Sequence, residues 1–188
     1  MKLYIGVIII LSSSVLFNAQ KLFLKNFEIV HYGATYKKHT ILIDYYAKLE
    51  EDGNLLVCFK SFKNPGYYKY KLTNEEIKVL NSLKNKKITK YVEDTFRIDY
   101  ADSFYLSYKF GNYSQKFTYG RDFMSKDFYN IMNIILNKID TKNELNKTEK
   151  FEVNFERLQN EIILQEKTDE QLYDQLPKKE RYYLPPTT

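Results

Sequence analysis

Two tight bends, Asp52-Gly53 and Gly111-Asn112, each lie between runs of alternating apolar and polar side chains, and that arrangement restricts the chain to antiparallel hairpins. An Asp-Gly pair suits a type I′ turn, in which both central residues need positive φ. Taken as a two-residue loop, it sets Leu49 opposite Leu56, Ala47 opposite Cys58, Tyr45 opposite Lys60 and Ile43 opposite Phe62, a mostly apolar face. The other face carries Asp44, Lys48, Glu50 and Ser61 beside Tyr46, Val57 and Phe59. Around Gly111-Asn112 the division is cleaner. Phe104, Leu106, Tyr108 and Phe110 share a face with Tyr113, Gln115, Phe117 and Tyr119, while Tyr105, Ser107, Lys109, Ser114, Lys116 and Thr118 share the face expected to meet water.

The segments between and beyond these hairpins fill out an α+β pattern. Leu22 to Tyr32 reads as a first strand ending at Gly33, and Tyr67 to Leu72 resumes an extended pattern after the break at Asn64-Pro65-Gly66. Thr73 with Glu76 forms a capping box opening a helix whose buried stripe is Ile77, Leu80 and Leu83 and whose end lies near Asn85-Lys86-Lys87. Ser125 caps a second helix with Phe128, Ile131, Met132, Ile135 and Ile139 on one stripe. From Thr141 the chain becomes rich in Glu, Lys, Asn and Gln, with anchors only at Phe151, Phe155, Leu158 and Ile162. That seam is too short for a stable coiled coil, so its expected partner is the domain itself. Thr168 with Gln171 is expected to cap one more short helix, running to Leu176 and stopped by Pro177, before an extended tail. The reading is therefore an α+β domain: an antiparallel sheet built from two β-hairpins, helices packed on one face, and a helical C-terminal extension. Regular strand–helix alternation and a Gly-x-Gly-x-x-Gly fingerprint are both missing from the sequence, which disfavours a parallel dinucleotide-binding fold.

Residues 1–19 have a different character. Lys2 precedes an apolar run from Leu3 to Leu16, and Ala19 precedes Gln20, the three-part build of a secretory signal. The run is about fourteen residues against the roughly twenty a spanning helix needs, and three serines dilute it. Cleavage is expected between Ala19 and Gln20, with no stable membrane span afterwards. No cysteine stands near the end of the run to accept a lipid anchor. The expected organisation is a signal peptide over 1–19, a globular domain over 20–140 and a helical extension over 141–188, secreted or periplasmic.

Composition narrows the chemistry. The net charge of +5 is carried mostly by lysine, with Arg97, Arg121, Arg157 and Arg181 the only arginines, and no clustered basic stripe appears, so nucleic-acid binding is not expected. One cysteine and two histidines rule out a zinc ribbon or disulfide framework, and no cofactor is expected. On its hairpin face Cys58 reads as a small buried hydrophobe. His31 and His39 bracket one loop with Asp44 as the nearest downstream carboxylate, which falls short of a three-ligand metal site. Asp99 and Asp102 are the best-placed acidic pair for hydrolysis, though loop aspartates commonly bond their own backbone.

The remaining feature is tyrosine. Tyr67, Tyr68 and Tyr70, with Tyr182 and Tyr183 in the tail, exceed what a core needs and suit a binding surface. The expected function is a non-catalytic interaction module with a protein partner in the cell envelope. The alternative is a secreted hydrolase using Asp99 and Asp102, or His31 and His39, in a loop cleft. Intact mass of the chain recovered from the cell envelope or medium should show residues 1–19 removed; a full-length mass there would reject the export signal.

Overall fold

The computed structural model describes residues 21–35, 40–60, 65–85, 103–120, 126–142 and 144–174. The positions Ala19, Gln20, His39, Phe62, Asp99, Asp102, Leu176, Tyr182 and Tyr183, on which expectations were placed above, lie outside the described residues. Strands β1 (Leu24–Thr35), β2 (Thr40–Leu49), β3 (Asn54–Phe59) and β4 (Gly66–Lys71) are followed by helix α1 (Asn74–Asn81), which tightens into a 3₁₀ turn over Ser82–Asn85. Then come β5 (Ser103–Phe110), β6 (Tyr113–Gly120), α2 (Lys126–Thr141), the two-residue β7 (Asn146–Lys147) and α3 (Phe155–Asp174). The strands make one seven-stranded sheet in the order β6-β5-β1-β2-β3-β4-β7, with antiparallel neighbours throughout. The α+β antiparallel class expected from the sequence is the class observed. β1 runs on through Gly33 to Thr35 and lies inside the sheet, pairing with both β2 and β5.

The hairpin at Gly111-Asn112 has the expected register, with Phe110 opposite Tyr113 and Phe104 opposite Tyr119. Gly111 alone takes positive φ, at 54°, as a type II′ turn requires. The hairpin at Asp52-Gly53 differs from expectation by one residue. Asp52 does not enter the left-handed region; its carboxylate accepts a hydrogen bond from the Asn54 amide at 3.0 Å, and only Gly53 has positive φ, at 84°. The Glu50 amide donates to the Asn54 carbonyl at 2.8 Å and the Gly53 amide to the Glu50 carbonyl at 2.9 Å, closing a three-residue loop. Leu49 therefore faces Leu55, Ala47 faces Val57, Tyr46 faces Cys58 and Tyr45 faces Phe59. A one-residue slip turns every side chain over, so Cys58 lies on the face opposite to Ala47 and Val57.

Two bulges shift the alternation further. In β1, Asn26 takes φ of 50°, and the partner register moves between Lys25 and Glu28, so Leu24 and Phe27 both enter the same core layer. Between β1 and β2 the register moves between His31 and Tyr32, leaving Asp44 as the extra residue. Ile41 and Ile43 consequently pack on the face opposite to Tyr45 and Ala47, a correction to the shared face expected for Ile43 and Tyr45.

Each face of the sheet has its own cover. Leu24, Phe27, Ile29, Ala47, Leu55, Val57 and Leu106 bury against Ile77 and Leu80 of α1 and Ile131, Met132, Ile135, Leu136 and Ile139 of α2. The expected Thr73–Glu76 capping box is present and starts α1. Val30, Tyr32, Ile41, Ile43, Tyr46 and Tyr105 bury against Leu158 and Ile162 of α3 on the other face. The expected wet side of the β5–β6 hairpin is thereby half covered: Tyr105, Ser107 and Thr118 are buried, while Lys109, Ser114 and Lys116 remain exposed. α3 is one continuous helix through Thr168, whose hydroxyl donates to the Leu164 carbonyl at 2.9 Å inside the helix, so Thr168 does not cap a separate one.

Gly53 is the position where backbone conformation is least replaceable. A Cβ there would lie 3.1 Å from Ile77 Cδ1, in addition to the left-handed φ. Gly53→Ala is expected to destabilise by about 1–2 kcal/mol. Gly33→Ala, where a Cβ meets nothing within 4 Å, should be neutral or mildly stabilising. Denaturant midpoints of the two variants compare them directly, and equal midpoints would reject the Glu50–Asn54 turn.

Candidate functional site

A row of rings crosses six strands on the face covered by α1 and α2. Tyr68 of β4 meets Phe59 of β3 at a centroid distance of 5.5 Å, and Phe59 meets Tyr45 of β2 at 5.9 Å. Tyr45 stacks on His31 of β1 at 5.2 Å, His31 tilts against Phe104 of β5 at 4.9 Å, and Phe104 stacks on Tyr119 of β6 at 5.4 Å. His31 is only 7% exposed. Its Nδ1 lies 2.9 Å from an Asp44 carboxylate oxygen, a contact made because the bulge that expels Asp44 from the ladder sets it beside the imidazole. At that distance the carboxylate acts on the ring electrostatically.

Cys58 is buried, as expected, but on the opposite face and under different neighbours. Burial pushes its thiol above its ordinary value, outweighing the hydrogen bond to Tyr67 and the charges of Lys60 and Lys150. A thiol so placed stays protonated near neutral pH and is a poor nucleophile.

The tyrosines Tyr67, Tyr68 and Tyr70 do not share one surface, because β4 alternates. Tyr68 belongs to the core, a correction to its reading as surplus: it is 8% exposed and packs edge-on against Phe59. Tyr70 is half-buried on the same face, with its hydroxyl bonded to the Glu76 carboxylate at 3.0 Å and Lys138 Nζ 4.5 Å above its ring. Tyr67 is half-buried on the other face, with its ring 5.1 Å from that of Phe151 in an edge contact. Around it Lys48 Nζ stands 5.4 Å from the Phe151 ring centroid and Lys60 Nζ 4.7 Å from that of Phe155, with Lys69 on β4 and Lys150 after β7 exposed nearby. This is a lysine-framed aromatic shelf; Phe151 and Phe155 were legible in the sequence only as helix anchors.

Sequence reasoning missed a second polar assembly, the one that holds α3. Arg157 bridges Glu28 at 2.7 Å and Glu161 at 3.0 Å. Glu28 also accepts from the Tyr46 hydroxyl at 2.7 Å, and Glu161 from the Tyr105 hydroxyl at 2.6 Å and Lys116 at 3.2 Å. Burial pushes Glu161 up, but its three donors outweigh that and hold the carboxyl below its ordinary range. Burial, reinforced by the neighbouring carboxylates, pushes Tyr46 and Tyr105 well above the usual phenol range, so both stay protonated donors. The signal available in the sequence was the spacing of Arg157 and Glu161, four apart on one helix face.

Among the described residues, no group of three or more His, Cys, Asp or Glu is placed to hold a metal ion, and no helix is long and apolar enough to cross a membrane. Compared with known proteins, the chain matches no family model and no curated protein.

Removing the shared cation leaves Glu28 and Glu161 with weaker compensation. Arg157→Met is expected to cost the docking of α3 about 1–2 kcal/mol, the exposed part of the guanidinium being discounted. Amide exchange along α3 measures it as opening about tenfold faster; unchanged exchange would show that the bridge contributes nothing.

Proposed function

We propose that this chain is an exported interaction module of the periplasm or cell envelope that binds a protein partner through the face carrying Tyr67. The observation that carries the reading is the shelf of Tyr67, Phe151 and Phe155 framed by Lys48, Lys60, Lys69 and Lys150. Half-buried rings offer contact area at low entropy cost, and lysines around them favour a partner presenting acidic side chains. Lys48 is partly neutralised by Glu50 at 3.7 Å, so Lys60, Lys69 and Lys150 supply most of the attraction. The N-terminal apolar run supports export. Tyr70 enters the proposal as a support of α1 and Tyr68 as a support of the sheet.

The test uses the immobilised chain to capture proteins from an envelope fraction. Tyr67→Ala and the pair Lys60→Glu with Lys69→Glu should each lower capture of a specific protein by about tenfold, with rising salt weakening capture by the parent. Thermal stability should barely move in any of them. Undiminished capture by the charge-reversed chain would reject the shelf as the binding surface.

A second reading, a secreted hydrolase, is favoured by the 2.9 Å contact of His31 with Asp44, in which His31 is the general base. Ester, glycoside and peptide substrates turned over by the parent and not by His31→Gln would support it. Turnover that survives that substitution would reject it.

A further inference from the structure

Residues 148–174 form an arm that the larger core does without. The core layer under α1 and α2 draws its buried side chains from Leu22 to Ile139, with Leu145 as its last half-buried neighbour. On the opposite face the arm supplies two buried side chains, Leu158 and Ile162, and four half-buried ones, Phe151, Val153, Phe155 and Ile163. The rest of its attachment is polar. Tyr32 donates to Glu166 at 2.8 Å, Gln159 to the Ile41 carbonyl at 2.8 Å, and the Glu28–Arg157–Glu161 bridge takes hydrogen bonds from Tyr46, Tyr105 and Lys116. A segment with few buried apolar contacts and a charged attachment opens at a lower free energy than the core it covers.

We propose that the arm is an acid-released clasp: at neutral pH α3 is latched over the face carrying Tyr32, Tyr46 and Tyr105, and protonation of Glu161 lets it lift from a body that stays folded. Glu161 is faced by Tyr105 from β5, Lys116 from β6 and Arg157 from its own helix, and Arg157 reaches Glu28 of β1, which Tyr46 of β2 also bonds. Glu166 is bonded by Tyr32 of β1. A carboxylate held low contributes in full above its ordinary value of 4.5 and loses that contribution as pH falls through its lower folded value, so the latch weakens in acid. The body has an acid-sensitive contact of its own, Lys138 with Glu144, and the experiment must therefore follow both parts.

Cys58 reports on the arm, being the one thiol in the chain. It is buried at the Tyr67 hydroxyl, and Phe151 of the arm lies against the Tyr67 ring. Its reaction with 4,4′-dithiodipyridine is measured across the range from about pH 7 to about pH 3, normalised at each pH to the denatured chain, while hydrogen exchange follows β1, β5 and α3. The expected result is a rise of about tenfold or more in normalised Cys58 reactivity, with α3 amides losing protection and β1 and β5 amides keeping theirs. Glu161→Gln, which cannot ionise there, should already be more reactive at Cys58 near pH 7 and show a smaller rise in acid. Cys58 and α3 opening only together with β1 and β5 would overturn the proposal, as would equal α3 protection at both ends of the range or a Glu161→Gln profile identical to the parent's.

Discussion

The row of rings from Tyr68 through Phe59, Tyr45, His31 and Phe104 to Tyr119 is the constraint around which the sheet is assembled. Each member belongs to a different strand, so each contact fixes one strand against the next, and a slip of one residue in any strand would carry its ring to the opposite face. The row accounts for the two corrections the ladder makes to simple alternation. With Asp44 expelled as a bulge, Tyr45 meets His31; with a three-residue loop at Glu50–Asn54, Tyr45 meets Phe59. The bulge that aligns the rings also brings Asp44 to the one imidazole of the row, which is how that ring is accommodated among aromatic neighbours.

The two faces of the sheet are held by different physics. Under α1 and α2 the contacts are apolar and extend over most of the sheet, and one polar cross-tie, Lys138 with Glu76 and Tyr70, joins the two helices and β4 at the margin. A short hydrogen bond from Lys138 to Glu144 extends that tie to the chain leaving α2, and the Glu144 carboxyl is held below its usual range by it. Under α3 the apolar seam is narrow, and tyrosine hydroxyls, carboxylates and one guanidinium complete it. Tyrosine serves this face well because its ring packs against the seam while its hydroxyl supplies the helix carboxylates with a donor. Tyr32, Tyr46 and Tyr105 are used in this way.

The functional reading follows from what is left over. Cys58 and Tyr67 satisfy one another beneath the start of the arm, and the outer edge of that contact, with Phe151, Phe155 and the surrounding lysines, is where contact area and charge come together. His31 with Asp44 is the arrangement nearest to chemistry, and it is enclosed within the ring row. The lysine-framed shelf and the His31–Asp44 pair thus lie on opposite faces of the same sheet.

Much of this fold was legible in the sequence. The capping box at Thr73 and Glu76, the Gly111-Asn112 hairpin with its partners, the stripes of α1 and α2 and the docking of the Leu158–Ile162 seam on its own domain all follow from local chemistry and periodicity, which act within a few residues. The register at Asp52-Gly53, the bulges at Asn26 and Asp44, the burial of Tyr68 and the continuity of α3 past Thr168 do not. Each was settled by a partner distant in the chain: Ile77 against Gly53, the cross-strand rings around His31, Phe59 against Tyr68, and the sheet tyrosines along α3. Side-chain alternation determined by itself that there would be an antiparallel sheet with a buried face under helices; cover on the second face came from the tertiary structure. Which residues meet at a site depended on single-residue offsets of the ladder, and those are decided only when the strands pair, because packing across the sheet outweighs the small local preference for one turn over another.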